Sequence, residues 1–388
     1  MLDFSCRVGD EFVRVVVVGL GLLMAGTVIS GTPARAGSVS FTDFNLVTIG
    51  AKGDPTQGNV GTQSDVTGSA FVSGSLQATL TVAQDLPTVP NPSTSPVYGL
   101  EVLNKIESGI NVNNGYSVEY AGTTAGNINL NGGGVLTKDA GGVLAAEQTT
   151  LYNQVTAASV DFKNLSTVGS SVSNTPVNTQ PALTFNYTGP ANGVAVFDIT
   201  SKELQTSNLQ LYLNPGQASS VVINVSGSDI GGSLTLSNIS FVSGGGFSDA
   251  IASKILWNFE DVTGTLNPGS GGTFLGSILA PTATLDASNA IDGSVFVESV
   301  QTAGEIHYKN NGYVVQYNGF NPLSVPEPSS MVMAALGMLG IGAAGWGRRR
   351  ASEGWGLHPP ILSVRWTWVY EAAILRRAGL VEGPAFRR

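Results

Sequence analysis

The chain has 388 residues, of which 12% are charged and 50 are glycine, against roughly 25% charge and ~7% glycine in an average soluble domain. From Gly37 to Pro326 there are seven lysines, twenty acidic residues and no arginine, a net charge of −13; nucleic-acid binding, which rests on Lys and Arg against phosphate, is excluded for this stretch. With 42% apolar residues the chain can bury a core, and its abundance of Gly, Ser, Thr and Asn suits a turn-rich β protein.

The first 36 residues read as a secretory signal and are expected to form an N-terminal signal helix. Arg7 and Arg14 carry positive charge, Val15 to Ile29 is apolar, and Ala34 and Ala36 are the small residues a signal peptidase inspects before cleaving ahead of Gly37. The only cysteine, Cys6, is lost with this leader. The processed chain then has no thiol for disulfides, metal thiolates or nucleophilic chemistry.

From Gly37 to Gln84 short apolar runs alternate with turn residues, as in FNLVTIG and SAFVSGSLQATLTVAQ, and read as strands. Asp85–Pro96 is proline-rich and predicts an exposed loop. Val97–Leu136 returns to short strands between NNG, GTT and NGGG turns. Leu144, Leu151, Val155, Phe162 and Leu165 then recur at helical spacing, predicting one long helix over 144–168 packed on the domain. ALTFNY, GVAVFDI, LQLYL, SSVVINVSG and LTLSNISFV bring back strands up to Val242. FSDAIASKILWNF is a helix-length interruption, followed by FLGSILA, ATLDA, AIDGSVFVES, GEIHY and GYVVQYN. Short strands with tight turns predict a β-solenoid or a β-sandwich, and no strict fixed-length repeat chooses between them.

ILWNF (Ile255–Phe259), FLGSILAPTAT (Phe274–Thr284), IDGSVFVES (Ile291–Ser299) and GEIHY (Gly304–Tyr308) resemble the choice-of-anchor A family of bacterial surface proteins. SDVTGSAFVSGSL (Ser64–Leu76), VVINVSGSDI (Val221–Ile230) and the helix ending in FKNLSTVGSSV fit the same resemblance, which spans most of 41–308. The segment F-x-G-S-I-L-A-P-x-A-T is also similar to a turn of ice-binding and other adhesive β-helices. The resemblance implies a mainly β ectodomain over 37–320, β-solenoid or β-helix-like, with the helix alongside; the alternative is a β-sandwich. In such a coil Phe274 and Ile278 share a core face, Pro281 belongs at a corner, and Gly276 and Gly293 permit tight bends.

After a linker (321–330) with Pro326-Glu327-Pro328 comes an apolar run, Met331–Gly347, and then Arg348, Arg349 and Arg350. This order resembles the PEP-CTERM sorting signal. Seventeen residues make about 25 Å of helix at ~1.5 Å each, enough for a thin bilayer, and the arginines stay cytoplasmic. The resemblance implies a transmembrane helix over 331–350 and an exosortase-type processing enzyme as partner, which cuts near the motif and releases or re-anchors the ectodomain, leaving it extracellular or at the cell surface. Residues 351–388, with three of the five tryptophans, depart from that pattern and read either as a small cytoplasmic appendage or, the favoured expectation, as sequence beyond the natural end of the gene.

No G-x-S-x-G, H-E-x-x-H, P-loop or EF-hand pattern is present, and nothing implies a cofactor or a metal. His307 and His358 are the only histidines. His307 without motif partners reads as structural, and Glu260, Asp261, Asp292 and Glu305 as acidic residues that need not form a glycosidase pair. The expectation is a non-enzymatic adhesin or matrix protein with exopolysaccharide or surface glycans as ligand. The rivals are an ice-binding protein, which requires a flat, regularly spaced Thr array, and a secreted carbohydrate-active enzyme. ATLTV, LTLS and TATL contain threonines, but in no steady register.

Overall fold

The structure is a computed structural model and describes residues 2–8, 11–17, 39–90, 96–227, 232–236, 238–269 and 271–319. The chain divides into two units, Met1–Phe320 and Asn321–Arg388, and all described residues belong to the first. The linker, the apolar run and the tail therefore lie outside them. Among the described residues no helix is long and apolar enough to cross a membrane.

β1 (Leu2–Val8) and β2 (Glu11–Val17) pair antiparallel. Where a signal helix is expected, the described part of the leader is thus a hairpin, in keeping with the β-branched Val13, Val15, Val16 and Val17. Residues 18–38, with Ala34, Ala36 and Gly37, lie outside the described residues.

A first run of strands follows: β3 (Leu46–Thr48), β4 (Val60–Gln63), β5 (Asp65–Val66), β6 (Ala70–Val72), β7 (Leu80–Val82), β8 (Tyr98–Val102), β9 (Ile110–Val112), β10 (Ser117–Tyr120), β11 (Ile128–Leu130) and β12 (Leu136–Lys138). Then comes α1 (Val143–Lys163). The second run is β13 (Ser170–Ser173), β14 (Ala182–Tyr187), β15 (Val194–Thr200), β16 (Gln210–Asn214), β17 (Ser220–Ser226), β18 (Leu234–Thr235), β19 (Ser240–Phe241), β20 (Ile255–Asn258), β21 (Thr265–Asn267), β22 (Phe274–Leu275), β23 (Ser277–Asp286), β24 (Ile291–Asp292), β25 (Val295–Ala303), β26 (Ile306–His307), β27 (Lys309–Asn310) and β28 (Tyr313–Val314).

These strands build a three-sided parallel coil, so the solenoid is realised and the sandwich is not. The first sheet runs β12-β10-β8-β6-β3-β25-β23-β20-β17-β15. The second joins β18, β21, the C-terminal half of β23, the C-terminal half of β25 and β4. The third runs β11-β9-β7-β5-β26-β24-β22, and a separate sheet, β13-β14-β16-β19, lies among the coils of the second run. Coil lengths vary, which hides the repeat, although Leu100, Val118 and Leu136 align at 18-residue intervals.

The order of the first sheet reveals a discontinuous stack. The chain coils outward from β3 to β12 and continues through α1, and the coils from β15 advance until β25 pairs with β3. Asn45 Nδ2 donates to the Gly293 carbonyl at 2.9 Å across this seam, over a sequence separation of 248.

Inside, Leu46, Val72, Leu100, Ile278, Val295 and Trp257 belong to one apolar core. The helix expected over 144–168 ends at Lys163, capped by Asn164. Leu165 and Val168 are exposed, because Gly169 at φ 82° turns the chain into β13. FSDAIASKILWNF keeps only one helical turn, Asp249–Ala252; its second half enters the sheet as β20 between β17 and β23.

Gly276 and Gly293 sit at stacked corners between the third and first sheets. A Cβ on Gly293 would lie 2.6 Å from the Gly276 carbonyl carbon, and one on Gly276 would lie 2.8 Å from Ile255 Cγ2. Both positions require glycine for close approach. Pro281 lies inside β23 and not between strands, yet at a break: the register to β25 shifts between Ala280 and Thr284 as β23 exchanges β20 for β21 as neighbour. A residue with no N–H to donate is tolerated where the ladder is interrupted.

Candidate functional site

Side chains alternate across a strand, so each sheet turns every second residue outward. On the first sheet the outward row reads, in register, Glu119, Glu101, Phe71, Val47, Phe296, Leu279, Asn258, Asn224 and Asp198. Its apolar middle is covered: Phe71, Val47, Phe296 and Leu279 form a second buried cluster with Leu144, Leu151 and Val155 of α1. The polar end is tied to the same helix. Ser159 Oγ donates to Asn258 Oδ1 at 2.6 Å, and Asn224 Nδ2 donates to the Phe162 carbonyl at 3.1 Å and to Asp198 Oδ1 at 2.9 Å.

On the third sheet the outward residues Asn129, Asn111, Thr81 and Asp65 also align. Here the amides serve one another: Asn129 Nδ2 donates to Asn111 Oδ1 at 3.2 Å, and Asn131 Nδ2 to Asn113 Oδ1 at 2.8 Å.

The second sheet differs from both. Ala283, Leu285, Leu266, Val300 and Val60 point inward and are buried. Between them, two rows of short polar side chains cross the strands. One holds Thr265, Thr284 and Ser299; the other holds Thr235 paired with Asn267, and Asp286 paired with Thr302, which pairs in turn with Thr62, the two groups meeting one residue beyond the Leu266–Leu285 pair. Parallel strands stand about 4.8 Å apart and alternate residues about 6.6 Å apart, so these groups form a two-dimensional grid. The Thr284 and Ser299 hydroxyls are 2.8 Å apart. LTLS and TATL thus contribute to one face, in the register that the sequence alone does not display, whereas Thr79 and Thr81 of ATLTV belong to the third-sheet side. Thr62 and Thr302 had no sequence signal, because each is placed only by strand pairing.

The acidic and histidine residues singled out in the sequence lie elsewhere. His307 Nδ1 is hydrogen-bonded to Asp292 Oδ1, and its Nε2 lies 3.3 Å from Glu305 Oε2. Asp292 is buried, and its other oxygen accepts from Asn310 Nδ2 at 2.8 Å. The Asp292 bond raises the His307 pKa to about 8, against the opposing effect of burial. Both ring nitrogens are engaged by carboxylates, and the His307 carbonyl accepts from Asn45 at 3.2 Å, which makes this cluster a clamp on the seam. Glu260 and Asp261 meet Lys163 at 2.9 and 3.5 Å beside the end of α1. The fold therefore brings Asp292 and Glu305 to one histidine and keeps Glu260 and Asp261 with a lysine. Among the described residues no group of three or more His, Cys, Asp or Glu is placed to hold a metal.

The family described as "Putative Ice-binding-like adhesive domain" matches residues 38–308. Among solved structures, a domain of ice-binding protein 1 from Shewanella frigidimarina is similar at 14% identity, covering 72% of this chain and 95% of that one, with a TM-score of 0.27. A glycosylated ice-binding protein from an Arctic yeast is similar at 12% identity, covering 74% and 95%, with a TM-score of 0.27. One from the Antarctic ascomycete Antarctomyces psychrotrophicus is similar at 16% identity, covering 55% and 92%, with a TM-score of 0.23. No curated protein matches. The architecture itself stands on the strand pairing described above.

Proposed function

This chain belongs to the ice-binding-like adhesive domain family, and from that premise we propose that it is a non-enzymatic adhesive module whose second sheet binds the surface of ice. The observation that carries the reading is the pair of registered rows on that sheet. Hydroxyls and amides at a spacing set by strand separation match a lattice of hydrogen-bonded water in a way that scattered polar groups do not. Among the described residues α1 covers the first sheet and the Asn amides of the third pair with each other, whereas on the second only Thr284 and Ser299 bond to one another across strands, so the second is the face assigned to a flat partner. Thermal hysteresis and partitioning into growing ice test the reading. The protein is expected to shape ice crystals. Thr284→Tyr, which raises a ring above the grid, is expected to abolish the effect, while Thr81→Tyr leaves it intact. Absence of both ice shaping and ice partitioning overturns the proposal.

A second reading concerns delivery, and the order of Pro326-Glu327-Pro328, the apolar run and Arg348–Arg350 favours it. On this reading the protein is exported by its leader, held transiently in the inner membrane, and cut by an exosortase-type enzyme for display at the cell surface, among exopolysaccharide or surface glycans. Mass spectrometry of the mature C-terminus tests it. An intact Arg388 in the inner-membrane fraction sinks this route and leaves the ice reading untouched.

A further inference from the structure

The grid of the second sheet is broken at one place, where the two runs of strands meet. Relative to β23, β25 carries an extra residue: Leu285 faces Val300 and Asp286 faces Thr302, so Gln301 is the additional residue of a bulge. Across from it stands Gly61, where a Cβ would lie 2.5 Å from the Gln301 carbonyl oxygen. A bulge beside a residue with no side chain leaves a trough in the sheet. The resulting groove has a volume of about 460 Å³ and is walled by Gln57, Asn59, Thr62, Gln77, Glu298 and Gln301.

The hydrogen-bonding state of these walls is informative. Gln57 Nε2 is held by Asp54 at 3.0 Å, and Asn59 Oδ1 accepts from the Ser75 N–H at 2.8 Å; these two amides are oriented by the protein. Among the described residues, no hydrogen bond or ion pair engages the side chains of Thr62, Gln77, Glu298 or Gln301. The half-buried Glu298 has its pKa raised by desolvation, as befits a carboxylate facing a partly closed space.

We infer that this groove is a binding site for a neutral saccharide. Its chemistry selects that class by what it offers and what it lacks. A carboxylate accepts from two adjacent hydroxyls, and each amide both donates and accepts, which is the pattern a sugar ring presents. No Lys, Arg or His lines the groove, so it has no cationic side chain to match an anionic polymer. One carboxylate does not make a cation site. Val300 is the one apolar residue in the lining, and its side chain is buried in the core, so the groove offers too little for a hydrophobic ligand. An extended peptide would need a free strand edge, and here β25 and β4 already pair with each other. The groove shares Thr62, Thr284 and Ser299 with the grid; the inference goes beyond the ice reading because a soluble sugar needs the trough and its Glu298 and Gln301 walls, whereas ice needs the flat rows.

Titration of the full chain with maltohexaose, cellohexaose and mannohexaose, followed by calorimetry and saturation-transfer NMR, tests the assignment. At least one of the three is expected to bind saturably. Glu298→Gln is expected to weaken binding roughly tenfold or more, since hydrogen bonds to charged groups are the stronger ones, and Gln301→Ala to weaken it by a smaller factor. Thr235→Tyr, at the far edge of the face, is expected to leave sugar binding unchanged while reducing ice partitioning. An unchanged melting profile for each variant guards against misfolding. The proposal is overturned if none of the three sugars binds at millimolar concentration. It is equally overturned if binding survives both groove substitutions, or if pentaglycine binds there in place of the sugars.

Discussion

Two halves of a single strand set the two sides of this molecule apart. The N-terminal half of β23 turns Leu279 outward, where it joins the buried cluster with α1; the C-terminal half turns Thr284 and Asp286 outward, half-buried, with no element among the described residues packed over them. β25 repeats the division, with Phe296 in the buried cluster shared with α1 and Ser299 and Gln301 on the other side. The strands are equally buried on their inner faces, so the difference lies in the outward residues alone. An apolar row in mid-sheet recruits a helix because covering it removes hydrocarbon from water; a hydroxyl row gains nothing from being covered and stays available.

The largest effect should come from opening the covered side. Phe296 packs edge-on against Phe41 at 4.9 Å and against Tyr317 at 6.2 Å. Phe296→Ala should cost about 3–5 kcal/mol, measured as a lowered midpoint in urea, and a near-neutral result would mean that α1 is not held by this cluster. Asn258→Ala removes the link between Ser159 and Asn224 and should cost about 1–3 kcal/mol by stranding buried partners. Faster amide exchange concentrated in the last turns of α1 would mark the effect as local.

A smaller effect should follow pH. The folded-state pKa of His307 lies above its ordinary 6.5, at about 8. The stability contributed by its pairing with Asp292 is therefore complete below about pH 6.5 and is lost as the pH rises through 8. The shift corresponds to about 2 kcal/mol at most. Melting at pH 6 and pH 9 should show a drop in the wild type that His307→Gln lacks; an identical drop in both would remove the clamp on the seam from the account. The smallest change in stability should come from the bare side. Thr284→Val should shift it by no more than about 0.5 kcal/mol, which would sharpen the contrast with Phe296 if ice partitioning nevertheless falls.

Much of this was legible in advance. ALTFNY coincides with β14, and Leu144, Leu151 and Val155 are the buried stripe of α1, because period-2 and helical spacing act locally. The corners at Gly276 and Gly293 were legible for the same reason. The boundary at Lys163 was not, since Leu165 fits the helical spacing and only the turn into β13 exposes it. Nor was the fate of FSDAIASKILWNF, whose second half is drawn into the sheet by neighbours on both sides. The candidate face was legible only in fragments: TATL and LTLS were visible, while Thr62, Thr302 and the groove at Gln301 had no local signature.

By itself the sequence determined the kinds of element and their inward faces, since alternation, glycine corners and helical periodicity are properties of neighbouring residues. Only the tertiary structure decided that β25 lies beside β3, that two rows of hydroxyls fall into register, and that a bulge opposite Gly61 interrupts them. Pairing between strands whose residues are some 250 positions apart depends on how coils of unequal length stack, and that sum over the whole chain leaves no trace in any short stretch of it.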